Sequence, residues 1–311
     1  MTLQQYGEWF PHDEENFYLV AQPLYWNYTA AHLIQGLQNL NKNVLCMYDS
    51  NFAKSSPANE VLIGLLPYAK ALILVDPTGR DGEQYYPYTD PFKYKTVYID
   101  ASFTTKLLID PKTFPVYYKS ENSNEFEDVF SFPFCMEKRY VADYRNKDVN
   151  LSCMFGPTNP RRQEVLDYVP RMNIPDTFIG EIYDSVWGDW NKVTNGRSSF
   201  RYYRMLGKCS MSFSVFGNDG DNTARFFEIL ANRGVVVSEK WDIDMVHPFT
   251  DGETYIEYTT MPEMDEKIRH YLNYPEQLEQ IRAQGYEFAS QYHTTEVRAS
   301  MVLQKIDEVL S

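Results

Sequence analysis

At 311 residues the chain exceeds the roughly 250 to 300 at which one hydrophobic core stops growing, so two domains are expected. Its 43% hydrophobic content, with 25 Tyr, 19 Phe and 5 Trp, can fill two cores and excludes a disordered chain. A formal net charge of -14 opposes phosphate backbones and anionic membrane surfaces, so nucleic acid is not an expected partner.

No run of about 18 apolar residues marks a transmembrane segment, and acids at Glu8, Asp13, Glu14 and Glu15 stand where a signal peptide would be basic. A cytoplasmic location is expected. Cys46, Cys135, Cys153 and Cys209 have no partner at metal-ligand spacing and read as reduced core residues.

In chain order, the first half predicts a strand at Phe17 to Ala21, a helix at Thr29 to Leu40, a strand at Val44 to Tyr48 and a helix at Ala58 to Tyr68. Strands at Ala71 to Val75, Thr96 to Ile99 and Pro115 to Tyr118 follow. This βαβ rhythm implies a parallel sheet, which collects ligands at the carboxyl ends of its strands. Several of the runs end in an acid, Asp49, Asp76 or Asp100, placed for turn-making or for chemistry.

The charged stretch Glu137 to Asp148 reads as the linker. The rhythm restarts with a strand at Val149 to Phe155, a helix at Gln163 to Tyr168, a strand at Thr177 to Ile179, a polar loop, and a strand at Cys209 to Phe213. A helix at Thr223 to Arg233 and strands at Val235 to Ser238 and Tyr255 to Tyr258 complete it. The tail from Met264 is helical, with a break at Tyr274-Pro275 and a weakening at Gly285. Its last segment, with Val297, Met301, Val302, Ile306 and Val309, is expected to pack back across the hinge.

The most informative segment is GNDGDNTARFFEILANRGVVVSE, Gly217 to Glu239, a glycine-punctuated loop opening a helix. At about 100° per residue, Asn222, Arg225, Glu228 and Asn232 share a polar face, opposite Phe226, Phe227 and Leu230. Gly217 and Gly220 let backbone amides approach an anion at the helix start, where a phosphate is favoured, and Glu228 can accept from ribose hydroxyls. The spacing equally allows Asp219 and Asp221 as caps and Arg225 and Glu228 as a surface pair.

The order of VNLSCMFGPTNPRR, RYYRMLGKCSMSFSVFG, NTARFFEILANRGVVVSE, PFTDGETYIEYT, DEKIRHYLNYPEQLEQIRAQGYE and HTTEVR covers about half the chain. From about Asp148 to Leu303 the sequence resembles the C-terminal domain of group 1 glycosyltransferases, in the branch related to spore maturation proteins. The resemblance implies an α/β protein of GT-B type: two Rossmann-like domains with parallel sheets facing a cleft. The expected boundaries are 1–140 for the acceptor side, 148–295 for the donor side and 296–311 for the closing helix.

It further implies a nucleotide-sugar donor, such as a UDP-, GDP- or TDP-sugar, and a glycan or other hydroxyl-bearing acceptor. Glu228 would hold the donor ribose with Arg225 as its motif partner, and Gly220, Asp221 and Asn222 would contact phosphate or sugar. Gly156 would line the diphosphate, with Arg161 or Arg162 as the basic partner; a plain turn with solvated arginines is the alternative. The chain departs from the family in having Asp221 seven residues before Glu228, and Ala231-Asn232-Arg233-Gly234 in place of a small-residue ending. Arg233 is expected to face solvent.

Asp76, Asp100 and His12 are the candidate catalytic bases for an inverting transfer, each with a turn or surface role as its alternative. His32 reads as structural, and His247, His270 and His293 lack metal spacing. Asp242-Ile243-Asp244 reads as a chance match to a metal-diphosphate signature, so no metal and no separate cofactor are expected. Walker, G-x-S-x-G and G-x-G-x-x-G patterns are absent. Sugar transfer leads; a nucleotide-sugar epimerase and a non-catalytic sugar- or nucleotide-binding protein remain the alternatives.

Overall fold

The structure, a computed structural model, describes residues 17–22, 28–48, 64–76, 90–102, 106–120, 126, 128–137, 147–180, 198–216, 223–241 and 245–310. The chain divides into two compact units, Met1–Pro133 with Thr295–Ser311, and Phe134–Thr294.

The first unit is built on strands β1 (Phe17–Gln22), β2 (Asn43–Tyr48), β3 (Ala71–Asp76), β4 (Thr96–Asp100), β5 (Val116–Lys119) and β6 (Phe130–Ser131). They pair in parallel in the order β2-β1-β3-β4-β5-β6. Every residue of β3, β4 and β5 is buried, as expected where elements cover both sheet faces. The short β6 was not foreseen, because two residues leave no periodicity to read. One face carries helix α1 (Tyr28–Asn39), whose Leu33 and Leu37 join Val20, Ile73 and Ile99 in the core.

The second unit contains β7 (Val149–Cys153), helix α2 (Pro160–Tyr168), β8 (Thr177–Ile179), α3 (Ser198–Lys208) and β9 (Cys209–Ser214). Helix α4 (Ala224–Ala231), β10 (Val235–Glu239), β11 (Ile256–Tyr258), α5 (Met261–Asn273) and α6 (Pro275–Tyr292) complete it, and α7 (Thr295–Val309) returns to the first unit. The parallel sheet runs β11-β10-β9-β7-β8. Its core joins Leu151, Phe213 and Val237 to Met264 and Ile281 of the covering helices.

Helix α7 lies against α1, with Val302 and Ile306 in the first core. A Cβ on Gly36 would fall 2.0 Å from the Thr295 carbonyl oxygen, so glycine permits the close crossing.

Three expectations are corrected. The segment read as a polar loop before β9 contains helix α3. Gly285 does not weaken its helix: α6 is continuous, and the glycine is buried where a Cβ would lie 2.4 Å from the Thr254 carbonyl oxygen. Cys135, Cys153 and Cys209 are buried free thiols, but Cys46 is exposed on β2. Arg233 is exposed as expected, and its guanidinium lies 3.9 Å from the Tyr286 ring centroid, a cation–π contact. The expected loop acid Asp49 lies outside the described residues.

Candidate functional site

In the second sheet the chain steps from β7 to β8 on one side and later to β9 on the other. The carboxyl ends of β7 and β9 therefore flank a topological switch point, where open α/β sheets bind ligands. Asn159 ties the two ends together. Its Oδ1 accepts from Arg162 N at 2.9 Å, capping α2, while its Nδ2 donates to the Phe216 carbonyl at 3.1 Å. The Gly156 loop leading into it is closed by Thr158 N donating to Gly156 O at 2.8 Å.

Two cations meet on one aromatic ring here. The guanidinium carbons of Arg162 and Arg225 each lie 5.8 Å from the centroid of buried Phe155. Arg162 donates from Nη1 to Thr158 Oγ1 at 2.9 Å, while its buried Nε has no partner among the described residues. Burial first, and then the charge of Arg225, push the Arg162 guanidinium below its ordinary pKa. Arg161 turns instead to Phe216, 5.8 Å from that ring centroid.

Helix α4 presents Glu228. Its N-cap, Thr223, makes no side-chain capping bond, and the Thr223 hydroxyl shares a 2.7 Å bond with Ser214 Oγ at the end of β9. The opposite face buries Phe226 and Phe227, with Phe226 4.5 Å from Trp241 and 4.8 Å from Phe249 between ring centroids. That aromatic packing fixes the helix and leaves Glu228 half-buried on its other side.

The Glu228 carboxylate receives two phenols from α3: Tyr202 donates to Oε2 at 2.8 Å and Tyr203 to Oε1 at 3.0 Å. Tyr202 Oη also accepts from Arg225 Nε at 3.1 Å, so this hydroxyl stands between Arg225 and Glu228. Burial, then the Glu228 charge, raise the Tyr202 phenol well above its ordinary pKa, so it acts as a donor. Sequence reasoning missed both tyrosines because it placed a loop there. The available signal was Tyr202, Met205, Leu206 and Cys209, spaced as one helical stripe.

Of the expected donor-side residues, the structure brings Glu228, Arg225, Arg162 and the Gly156 loop to this end of the sheet. Gly217, Gly220, Asp221 and Asn222 lie outside the described residues, as do His12 and the Asp242-Ile243-Asp244 triplet.

Asp76 and Asp100 end neighbouring strands in register and are fully buried. Asp76 Oδ2 accepts from the Tyr98 hydroxyl at 2.9 Å. Asp100 is the hub of a closed network. Its Oδ1 accepts from Lys119 Nζ at 2.9 Å and from Ser102 Oγ at 2.6 Å and N at 3.1 Å. Its Oδ2 accepts from the Tyr117 hydroxyl at 2.7 Å and Leu108 N at 3.0 Å.

His293 is buried and bonds the His247 carbonyl at 2.8 Å, His270 meets Gln277 at 2.9 Å, and His32 is buried in α1. Among the described residues no cluster of three or more His, Cys, Asp or Glu is arranged to hold a metal, and no helix is long and apolar enough to cross a membrane.

Residues 161–304 match the family model described as "Glycosyl transferase-like". No curated protein matches the chain. Among solved structures, Anabaena HepE in complex with UDP-glucose is similar with a TM-score of 0.60 at 9% identity, covering 94% of this chain and 100% of that one. A glycosyltransferase from Rickettsia africae ESF-5 gives 0.60 at 8% identity, covering 95% and 99%. Sucrose-phosphate synthase from Thermosynechococcus elongatus gives 0.61 at 9%, covering 93% and 98%. The chain therefore has the fold of the GT-B glycosyltransferases, and residues 161–304 are similar to the glycosyl transferase-like family.

Proposed function

We propose that the protein transfers a sugar from a nucleoside-diphosphate donor to a hydroxyl-bearing acceptor, with the donor held at the carboxyl ends of β7 and β9. The observation that carries this reading is the pair Arg162 and Arg225 on one ring beside Glu228. Two neighbouring cations, one with an unpartnered buried Nε, repel each other until an anion arrives. A diphosphate supplies that anion, and the start of α2 favours its charge as well. Glu228 would then take the ribose hydroxyls, and Gly220, Asp221 and Asn222 would line the phosphate or sugar.

The complexes of HepE with UDP-glucose and with UDP and glucose support a UDP-sugar as the first donor to try. We place Arg162 ahead of Arg161 as the diphosphate ligand, because Arg161 leans on Phe216. The leaving diphosphate is neutralised by these side chains and helix termini without a metal. The acceptor is a glycan or another hydroxyl compound met by the first unit, and the protein works in the cytoplasm as a member of the spore-maturation-like branch. The chain passes from the first unit to the second at Pro133 and Phe134, and Thr295 opens the helix that returns to the first unit.

The burial and saturation of Asp100 favour a structural role for it over that of catalytic base, leaving Asp76 and His12 as candidates. The test is release of nucleoside diphosphate from UDP-, GDP- and TDP-sugars, with and without hydroxyl acceptors. Release that increases with acceptor is expected. Interconversion of the sugar without release would make the protein an epimerase, and binding with neither reaction would make it a non-catalytic sugar-nucleotide receptor.

A further inference from the structure

The second unit holds a cavity of about 420 Å³ at the end of its sheet opposite to the proposed donor site. Asn150 and Ser210, each the second residue of its strand, place it at the amino ends of β7 and β9. Helix α6 supplies Arg282 and Glu279, and the chain just before β7 supplies Lys147. Leu272, at the end of α5, and Pro275 and Leu278, at the start of α6, give it an apolar wall.

Cations outnumber acids in this lining, although the whole chain has 29 Lys and Arg against 43 Asp and Glu. Lys147 and Arg282 meet one acid there, Glu279, whose side chain is 63% exposed. Arg282 Nη1 donates to that carboxylate, but its buried Nε has no partner among the described residues. Lys147 spends two of its three donors on the neutral carbonyls of Gly207 and Asn232. Burial first, and then the charge of Arg282, lower the Lys147 ammonium to about 8, and burial lowers the Arg282 guanidinium as well. Two desolvated cations and an unsatisfied buried donor cost stability, and a bound anion offsets that cost.

The volume suits a small metabolite better than a bare ion. Ser210 is buried, and its hydroxyl makes no hydrogen bond among the described residues. Asn150 donates from Nδ2 to the Pro175 carbonyl at 3.1 Å and keeps Oδ1 open. Both groups can bond hydroxyls, while the apolar wall packs against carbon. We propose that this cavity is a second ligand site, separate from the donor site, which takes a small phosphorylated polyol: its phosphate on Arg282 and Lys147, its hydroxyls on Ser210 and Asn150.

Calorimetric titration of the full chain with glycerol 3-phosphate, glucose 6-phosphate and inorganic phosphate tests it, with glycerol and glucose as uncharged controls. The proteins compared are wild type, Arg282→Gln, Ser210→Ala and Arg162→Met. Wild type is expected to bind one or both esters, about tenfold or more tightly than inorganic phosphate, and neither control. Arg282→Gln should weaken ester binding about tenfold or more through lost charge-assisted bonds, and Ser210→Ala about threefold to tenfold. Arg162→Met alters the donor side and should leave ester affinity within about twofold, which separates this proposal from the reading of the donor site. Should Arg282→Gln not fold, the other two variants still decide. Failure of wild type to bind either ester overturns the proposal whatever the variants do. Ester binding lost in Arg162→Met and kept in Arg282→Gln puts the anion at the donor site and overturns it as well. Equal affinity for the esters and inorganic phosphate overturns the assignment of a polyol body.

Discussion

Asp100 and Lys119 form an ion pair 2.9 Å long with both side chains wholly excluded from water. Such a pair persists because its remaining hydrogen-bonding capacity is met, here by Ser102, Tyr117 and Leu108. Asp100→Asn removes the negative charge beside the buried Lys119 ammonium, so unfolding stability should fall by about 2 to 4 kcal/mol in a denaturant titration, while UDP affinity stays within about threefold. A stable variant with lost turnover would instead return Asp100 to the reaction. Arg162→Met carries the opposite expectation: UDP affinity should fall about tenfold or more, uridine affinity should not change, and calorimetry of the two ligands checks both. At this scale the sequence was legible where chemistry repeats within a short segment. Glu228 and Arg225 lie three residues apart on a helix, and a resemblance assigned their roles; spacing alone left a surface pair equally open. The phenols that hold Glu228 sit 25 and 26 residues upstream, and no local pattern links them to it. Asp100 illustrates the converse, since an acid at a strand end reads as accessible until Lys119, the last residue of β5 and its register partner, is seen to cover it.

Helix α4 and strands β7, β9 and β10 were readable because each has a strong apolar period or a continuous apolar run. Helix α3 was not. Its stretch SSFRYYRMLGK mixes three arginines and lysines with Gly207, a helix-disfavouring residue, and its stability comes from packing of one stripe, including buried Tyr203 and Leu206. Gly285 shows the same override in reverse: poor intrinsic helix propensity is offset by a backbone approach that only glycine permits. Gly285→Ala should therefore lower the melting temperature, at a cost of about 1 to 3 kcal/mol, whereas propensity alone predicts a gain. An unchanged or raised melting temperature would mean that α6 and Thr254 can separate without loss. Lys147 supplies another link invisible in sequence. Its amine donates to the carbonyls of Gly207 at 2.7 Å and Asn232 at 2.8 Å, closing the ends of α3 and α4 together, while burial lowers its pKa to about 8. The two helices that present the tyrosines and the glutamate are thereby pinned by one residue preceding β7.

For the whole molecule, the alternation of apolar strands with helical patterns foretold two parallel sheets, and both are present. Periodicity could not give the strand orders, since order depends on which neighbour each crossover selects; yet the order in the second sheet is what locates the switch point beside Arg162 and Arg225. A metal-free account at this scale predicts that a chelator leaves nucleoside-diphosphate release intact, measured with and without added divalent cation. Complete loss restored by metal would redirect attention to Asp242 and Asp244. The central claim is that the second unit binds a nucleoside diphosphate through Glu228, and calorimetric titration of wild type and Glu228→Ala with UDP tests it most directly. Loss of one or two charge-assisted hydrogen bonds, each worth about 1.5 to 3 kcal/mol, should weaken binding roughly ten- to hundredfold or more with the fold intact. Equal dissociation constants for two equally folded proteins would contradict the account.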